Sequence, residues 1–191
     1  MKIKALILIL TIFGATTAYA IDENQFNNSH ALYLSAVDGN KKQVRDAKQH
    51  FKTLSVSGPN NALIQTYIGS LESLMATHVY MPWNKMKHVE LGSELMDEAI
   101  EEIDETHDNT TIAGTPLSIR MKTIAAHTYF RFPKFLNRYQ DAKDLVAEIE
   151  ESPLFATSSI ESKNSIYQLA ADIATEEDNE QLASDYLAKL K

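Results

Sequence analysis

Two short stretches gather the residues best suited to holding a ligand. The first, VYMPWNK at 79–85, contains Tyr80, Lys85 and the only tryptophan, Trp83. The second, FRFPKF at 130–135, contains Phe130, Arg131, Phe132, Lys134 and Phe135. Aromatic rings give flat apolar walls, and cationic tips give charge-assisted hydrogen bonds. That combination suits a peptide carboxylate or a small anion. Each stretch is built around a proline, Pro82 or Pro133, so the same local chemistry recurs at two turns. Two readings follow: a pocket between the aromatic turns, or two architectural turns whose aromatic residues face the core.

Catalytic arrangements are harder to find. The chain has no cysteine, which removes thiol chemistry and cysteine metal sites. His78 and His88 are ten residues apart, and no two histidines stand four apart, so no helical histidine pair can grip a metal. LGSEL at 91–95 lacks the second glycine of a nucleophile elbow. No glycine loop could cradle phosphates. DETHDN at 104–109 lacks the glycine and closing glutamate of a calcium loop. His127, in AAHTYF, reads as a half-buried helix residue. Carboxylates are plentiful, and a paired-carboxylate hydrolase stays open as a minor alternative. The expectation is a protein that is not an enzyme and carries neither cofactor nor metal.

Charge narrows the partners. The chain opens MKIKALILILTIFGATTAYA, in which Lys2 and Lys4 precede an apolar run and Ala18-Tyr19-Ala20 precedes a cleavage point. This reads as a secretory signal peptide over 1–20, with one helical domain over 21–191. The run is shorter than the roughly 20 residues that span a bilayer, and no later segment is apolar enough. Removing Lys2 and Lys4 from the 18 basic residues leaves 16 against 26 acidic ones, a net charge near −10. Such a surface repels nucleic acid and anionic lipid. The expected location is the periplasm or outside the cell, with no nucleic acid partner and no integral membrane segment in the mature chain.

The elements that must position these residues are helices. Apolar residues recur every three or four positions almost throughout, and no strict alternation marks a strand. The spacing predicts an all-α fold of about eight helices, near 28–37, 42–54, 62–77, 82–105, 116–130, 134 or 137 to 152, 159–174 and 180–190. Short loops make these four antiparallel hairpins. Pro82 suits the first turn of the fourth helix. From there Trp83, Met86, Val89, Gly92, Met96, Ala99 and Ile103 share one face, which places Trp83 towards the core. Gly92 would let a neighbouring helix approach closely. Glu98, Glu101, Glu102, Asp104 and Glu105 crowd the helix end, opposing its dipole, with Asp108 just beyond.

Three second helices share a pattern. VRDAKQHFKTLSVSGP has Ala47, Phe51, Leu54 and Pro59; YQDAKDLVAEIEESP has Ala142, Val146, Ile149 and Pro153; NEQLASDYLAKL has Ala183, Leu187 and Leu190. Small residues let two helices approach, and larger ones fill the seam. The pattern, with Gly69 at a first-helix position, resembles a degenerate tetratricopeptide repeat and exported bacterial proteins of unknown function that carry one. That resemblance implies an α-solenoid and an interaction role: a scaffold or adaptor binding a protein or peptide partner, as part of an envelope complex. The alternatives are a small-ligand binding protein accessory to an envelope transporter and a cell-wall hydrolase.

Overall fold

The computed structural model describes residues 23–54 and 60–191; the expected signal peptide and Pro59 lie outside the described residues. The described chain forms ten α-helices: α1 (Glu23–Val37), α2 (Lys41–Thr53), α3 (Asn60–Met75), α4 (Pro82–Glu101), α5 (Glu105–Asn109), α6 (Leu117–Phe130), α7 (Tyr139–Glu151), α8 (Pro153–Thr157), α9 (Ile160–Glu176) and α10 (Glu180–Leu187). The all-α expectation holds. The two helices beyond the expected eight are single turns. The single β element among the described residues is a two-residue ribbon, with β1 (Thr111–Ile112) antiparallel to β2 (Thr115–Pro116). Ala113 and Gly114, both at positive φ, make its turn. Thr115 and Pro116 therefore belong to this ribbon, and the next helix starts at Leu117.

Local chemistry explains the helix starts. Asn40 and Gln43 form a reciprocal cap for α2, and Ser159 and Asn179 cap α9 and α10. The acidic run after α4 has a role the helical reading missed. The α4 helix stops at Glu101, and Asp104 caps α5 by accepting from the backbone of Thr106 and His107. Asp104, Glu105 and Asp108 thus sit at a helix start rather than at the end of α4, which suits their charge.

Helices pack in sequential pairs: α1 on α2, α3 on α4, α6 on α7, and α9 on α10. The seam residues behave as expected in two of the three second helices. Ala47, Phe51, Ala142, Val146 and Ile149 are all buried, whereas α10 buries only Ala183 and leaves Leu187 46 % exposed. Around α3, Tyr67 stacks on Phe51 at 4.5 Å and meets Tyr33 edge-on at 4.9 Å. The α6 helix is buried almost all round and touches α3, α4, α5, α7 and α9.

Two polar clusters pin these pairs together. Glu72 on α3 receives Lys48 from α2 and His88 from α4, at 2.5 and 2.7 Å. Asp97 on α4 receives the Arg138 fork at 2.6 and 2.8 Å and the Tyr129 hydroxyl at 2.6 Å. Arg138 also lies 4.0 Å over the Tyr129 ring and 2.6 Å from Asp141. Burial alone would raise the Asp97 carboxyl, but the bonds from Arg138 and Tyr129 hold it below its ordinary value. Arg138→Gln is expected to cost about 1–2 kcal/mol in urea denaturation, because Asp97 and Tyr129 lose a charged, partly buried partner.

Candidate ligand-binding site

A cavity of about 530 Å³ opens between α1, α3, α4, α6, the start of α9 and the loop after α6. Its long wall is one face of α6. Arg120, Ile124, His127, Thr128 and Arg131 recur at helical spacing and all line it. Leu34 and Val37 from α1, Leu74 from α3, and Met86 and Val89 from α4 form the apolar opposite walls. Phe132, Phe135 and Leu136 close one side at the mouth.

The polar groups of the wall are mostly satisfied by one another. Tyr33 Oη lies 3.0 Å from Ser70 Oγ, and Thr128 Oγ1 lies 2.8 Å from the same atom. The Tyr67 hydroxyl is 3.0 Å from His30 Nδ1, and His30 Nε2 is 3.5 Å from Glu161. Burial and the charge of Arg120 lower the His30 pKa, while burial raises that of Tyr67. A neutral His30 with its hydrogen on Nε2 would accept from the Tyr67 hydroxyl at Nδ1. Deeper along α6, His127 Nε2 lies 2.8 Å from Ser165 Oγ. Burial, aided by Arg131, pushes His127 down to about 4.

The cations are not satisfied. Arg120 is only 8 % exposed, yet among the described residues it has no ion pair, and its Nε has no partner. Its guanidinium sits 5.3 Å from the Phe26 ring and reaches the Ile112 carbonyl at a long 3.4 Å. Arg131 and Lys85, at the mouth, also lack ion pairs among the described residues, and Glu161 is the one carboxylate on the wall. A buried cation without a counter-charge is costly. In a chain of net charge −8, a cavity that is net positive is a local inversion.

Of the eight residues the sequence singled out, Lys85, Arg131, Phe132 and Phe135 line this cavity; Tyr80, Trp83, Phe130 and Lys134 do not. Lys134 pairs with Glu176 at 2.6 Å, and Phe130 packs against Tyr139 with ring centres 6.0 Å apart. Tyr80 is 96 % exposed. Trp83 does not face the core: it is 67 % exposed, and along α4 full burial begins only at Gly92, with the first turn from Pro82 to Lys85 exposed. The floor of the cavity, Arg120, His30, Tyr33, Tyr67 and Ser70, was missed. One signal was available: Arg120 and Lys122 are the only charged residues in LSIRMKTIAAHTYF, and a charge buried within such a helix asks for a partner.

A second, shallower cleft of about 500 Å³ runs along the other side of α4, carrying Glu90, Glu94, Asp97, Glu98 and Glu101 opposite Arg138. Met86, Val89 and Leu136 border both cavities, so the acidic face of α4 backs directly onto the cationic one. Among the described residues no group of histidines and carboxylates is placed to hold a metal ion, and no helix is long and apolar enough to cross a membrane.

Fold and site together define an all-α protein with a cation-lined internal cavity. No protein-family model, no curated protein and no solved structure matches the chain.

Proposed function

We propose that this chain is a binding protein for a small amphipathic anion, held in the cavity along α6. The single observation that carries the reading is Arg120, a buried guanidinium that forms no ion pair among the described residues, in an otherwise largely apolar chamber. The volume falls within the range of small-ligand sites, roughly 300–1,000 Å³. The leader-like N-terminus supports a periplasmic or secreted location, and such a protein would serve an envelope transporter as its ligand-loading partner. The paired helices fit a degenerate tetratricopeptide-like arrangement. A binder fits the site better than a hydrolase does. His127 and Ser165 are adjacent, but among the described residues no carboxylate is hydrogen-bonded to His127 to orient it, and burial keeps it a poor base.

A protein or peptide partner is the second reading. Tyr80, Met81 and Trp83 stand 96 %, 49 % and 67 % exposed beside one another, outside the cavity. Exposed aromatic residues of this kind anchor partners.

Thermal denaturation of the purified protein with matched anionic, neutral and cationic amphiphiles separates the two readings. An anion at 100 times its Kd should add about 2.7 kcal/mol of stability. A Tyr80→Ala/Trp83→Ala variant should respond equally. Stabilisation by none of the anions, or equal stabilisation by the cations, would overturn the cavity reading.

A further inference from the structure

Resting on that reading, we infer that the ligand is a linear alkyl monocarboxylate that enters head first, its carboxylate on Arg120 and its chain running out along α6 towards Phe135. Four observations converge. The first is depth. Arg120 and Arg131 mark the two ends of the α6 wall, and eleven residues of helix rise roughly 16 Å. The inner cation is buried and the outer one exposed, so a polar head gains most at the inner end, where water does not compete.

The second observation is the geometry of the head site. A guanidinium offers a planar fork that matches a carboxylate in two parallel hydrogen bonds. The Arg120 fork has only the long contact to the Ile112 carbonyl and the Tyr67 hydroxyl near it, and its Nε has no partner. The third is charge. Arg120 is the one strongly buried cation of the cavity, and Glu161 stands on the same wall, 3.5 Å from His30. Arg120, unpaired among the described residues, supplies one positive charge for a head group, and the Glu161 carboxylate on the same wall disfavours a second negative charge, so the site suits a monoanion over a phosphate dianion. The fourth is the wall between the two ends. Leu34, Val37, Leu74 and Ile124 present methyl and methylene groups, with the Tyr33, Ser70 and Thr128 hydroxyls already engaged with one another. A hydrocarbon chain asks nothing more of such a wall, whereas a polyhydroxylated ligand would leave its own groups unpaired.

Isothermal titration at pH 7.5 with decanoate, decanol and decyl phosphate, each below its micelle-forming concentration, tests the assignment on the wild-type protein. Decanoate is expected to bind at least tenfold more tightly than either analogue, and acetate not to bind measurably. Arg120→Gln should weaken decanoate at least tenfold, whereas Arg131→Gln should change it less than threefold at physiological salt. Arg120→Lys keeps the charge but loses the fork and should fall between wild type and Arg120→Gln. Equal affinity for decanoate and decanol would overturn the head-group assignment without needing any variant to fold. Loss on Arg131→Gln but not on Arg120→Gln would overturn the orientation while leaving the cavity reading intact. Binding of no anionic amphiphile at all would instead remove the cavity reading itself.

Discussion

Lowering the pH from 7.5 to 4.5 is expected to remove about 2–3 kcal/mol of folding stability, most of it through His127. The folded protein holds this imidazole down to about 4, through burial first and the nearby Arg131 charge second, with Ser165 and Asp172 opposing the shift. In the unfolded chain the same group titrates near its ordinary value of 6.5. Between those two values the unfolded state binds a proton that the folded state refuses. Stability therefore falls as pH drops through 6.5 and levels off near 4. A shift of this size corresponds to about 3.4 kcal/mol at most, reduced because His127 keeps some contact with the cavity solvent. His30 is lowered as well, again mainly by burial, and acts in the same direction. The carboxyls of Glu72 and Asp97 have lowered values, so their contribution starts to be lost only as pH falls through the ordinary carboxylate range, which leaves the upper part of the window clear. Urea midpoints measured at half-unit steps would trace the curve. His127→Gln retains a partner for Ser165 without a titrating group, and should flatten it by more than half. A profile for His127→Gln that still falls as steeply as wild type would refute the assignment.

What could be read in advance divides along a physical line. Small residues at helix crossings were legible: Gly69, Gly92, Ala47 and Ala142 mark close approach whatever lies opposite, because no other side chain tolerates it. The four helix pairs followed from the same periodicity. Trp83 was misread because a periodic stripe states which face of α4 is apolar but not where the neighbouring helix ends. In the structure, the first turn of α4 is exposed, cover begins in part at Met86 and full burial begins at Gly92. The break after Glu101 was missed because Asp104 caps α5 with His107 three residues on, rather than with the Glu or Gln that marks a capping box. The inner half of the cavity was invisible for a different reason. His30, Tyr67, Arg120 and Glu161 come from four helices, and only packing brings them together. The outer half was visible because Arg131, Phe132 and Phe135 are near neighbours in one loop.

Replacing Gly92 with alanine is expected to destabilise the protein by about 1–3 kcal/mol, and with valine by more, although both suit a helix better than glycine. The reason is the crossing of α3 and α4. A Cβ at Gly92 would strike Ser73 Oγ, and would stand 2.5 Å from the Gly69 carbonyl oxygen and 2.8 Å from the Ser73 amide nitrogen. A Cβ at Gly69 would stand 2.7 Å from the Gly92 carbonyl oxygen. The serine oxygen could rotate away, since it has no hydrogen-bond partner to lose. The backbone atoms cannot, so the two helices must separate. Ser73→Ala should therefore rescue Gly92→Ala only in part, and Gly69→Ala with Gly92→Ala should be less harmful than the sum of the two, because the first substitution already opens the crossing. Glu94→Ala, on the exposed face of the same helix, should stay within about 0.5 kcal/mol of wild type. Chemical denaturation of these variants, with Gly69→Ala alone measured beside them, reads all of these; a Gly92→Ala midpoint equal to or above wild type would sink the account. The consequence reaches the cavity. Ser70, Ser73 and Leu74 on α3 face Met86 and Val89 on α4 across it, so spreading the helices widens the apolar walls and loosens their grip on a chain. Decanoate affinity in the alanine variant should fall even under conditions where the protein remains fully folded, linking a contact between two glycines to ligand binding.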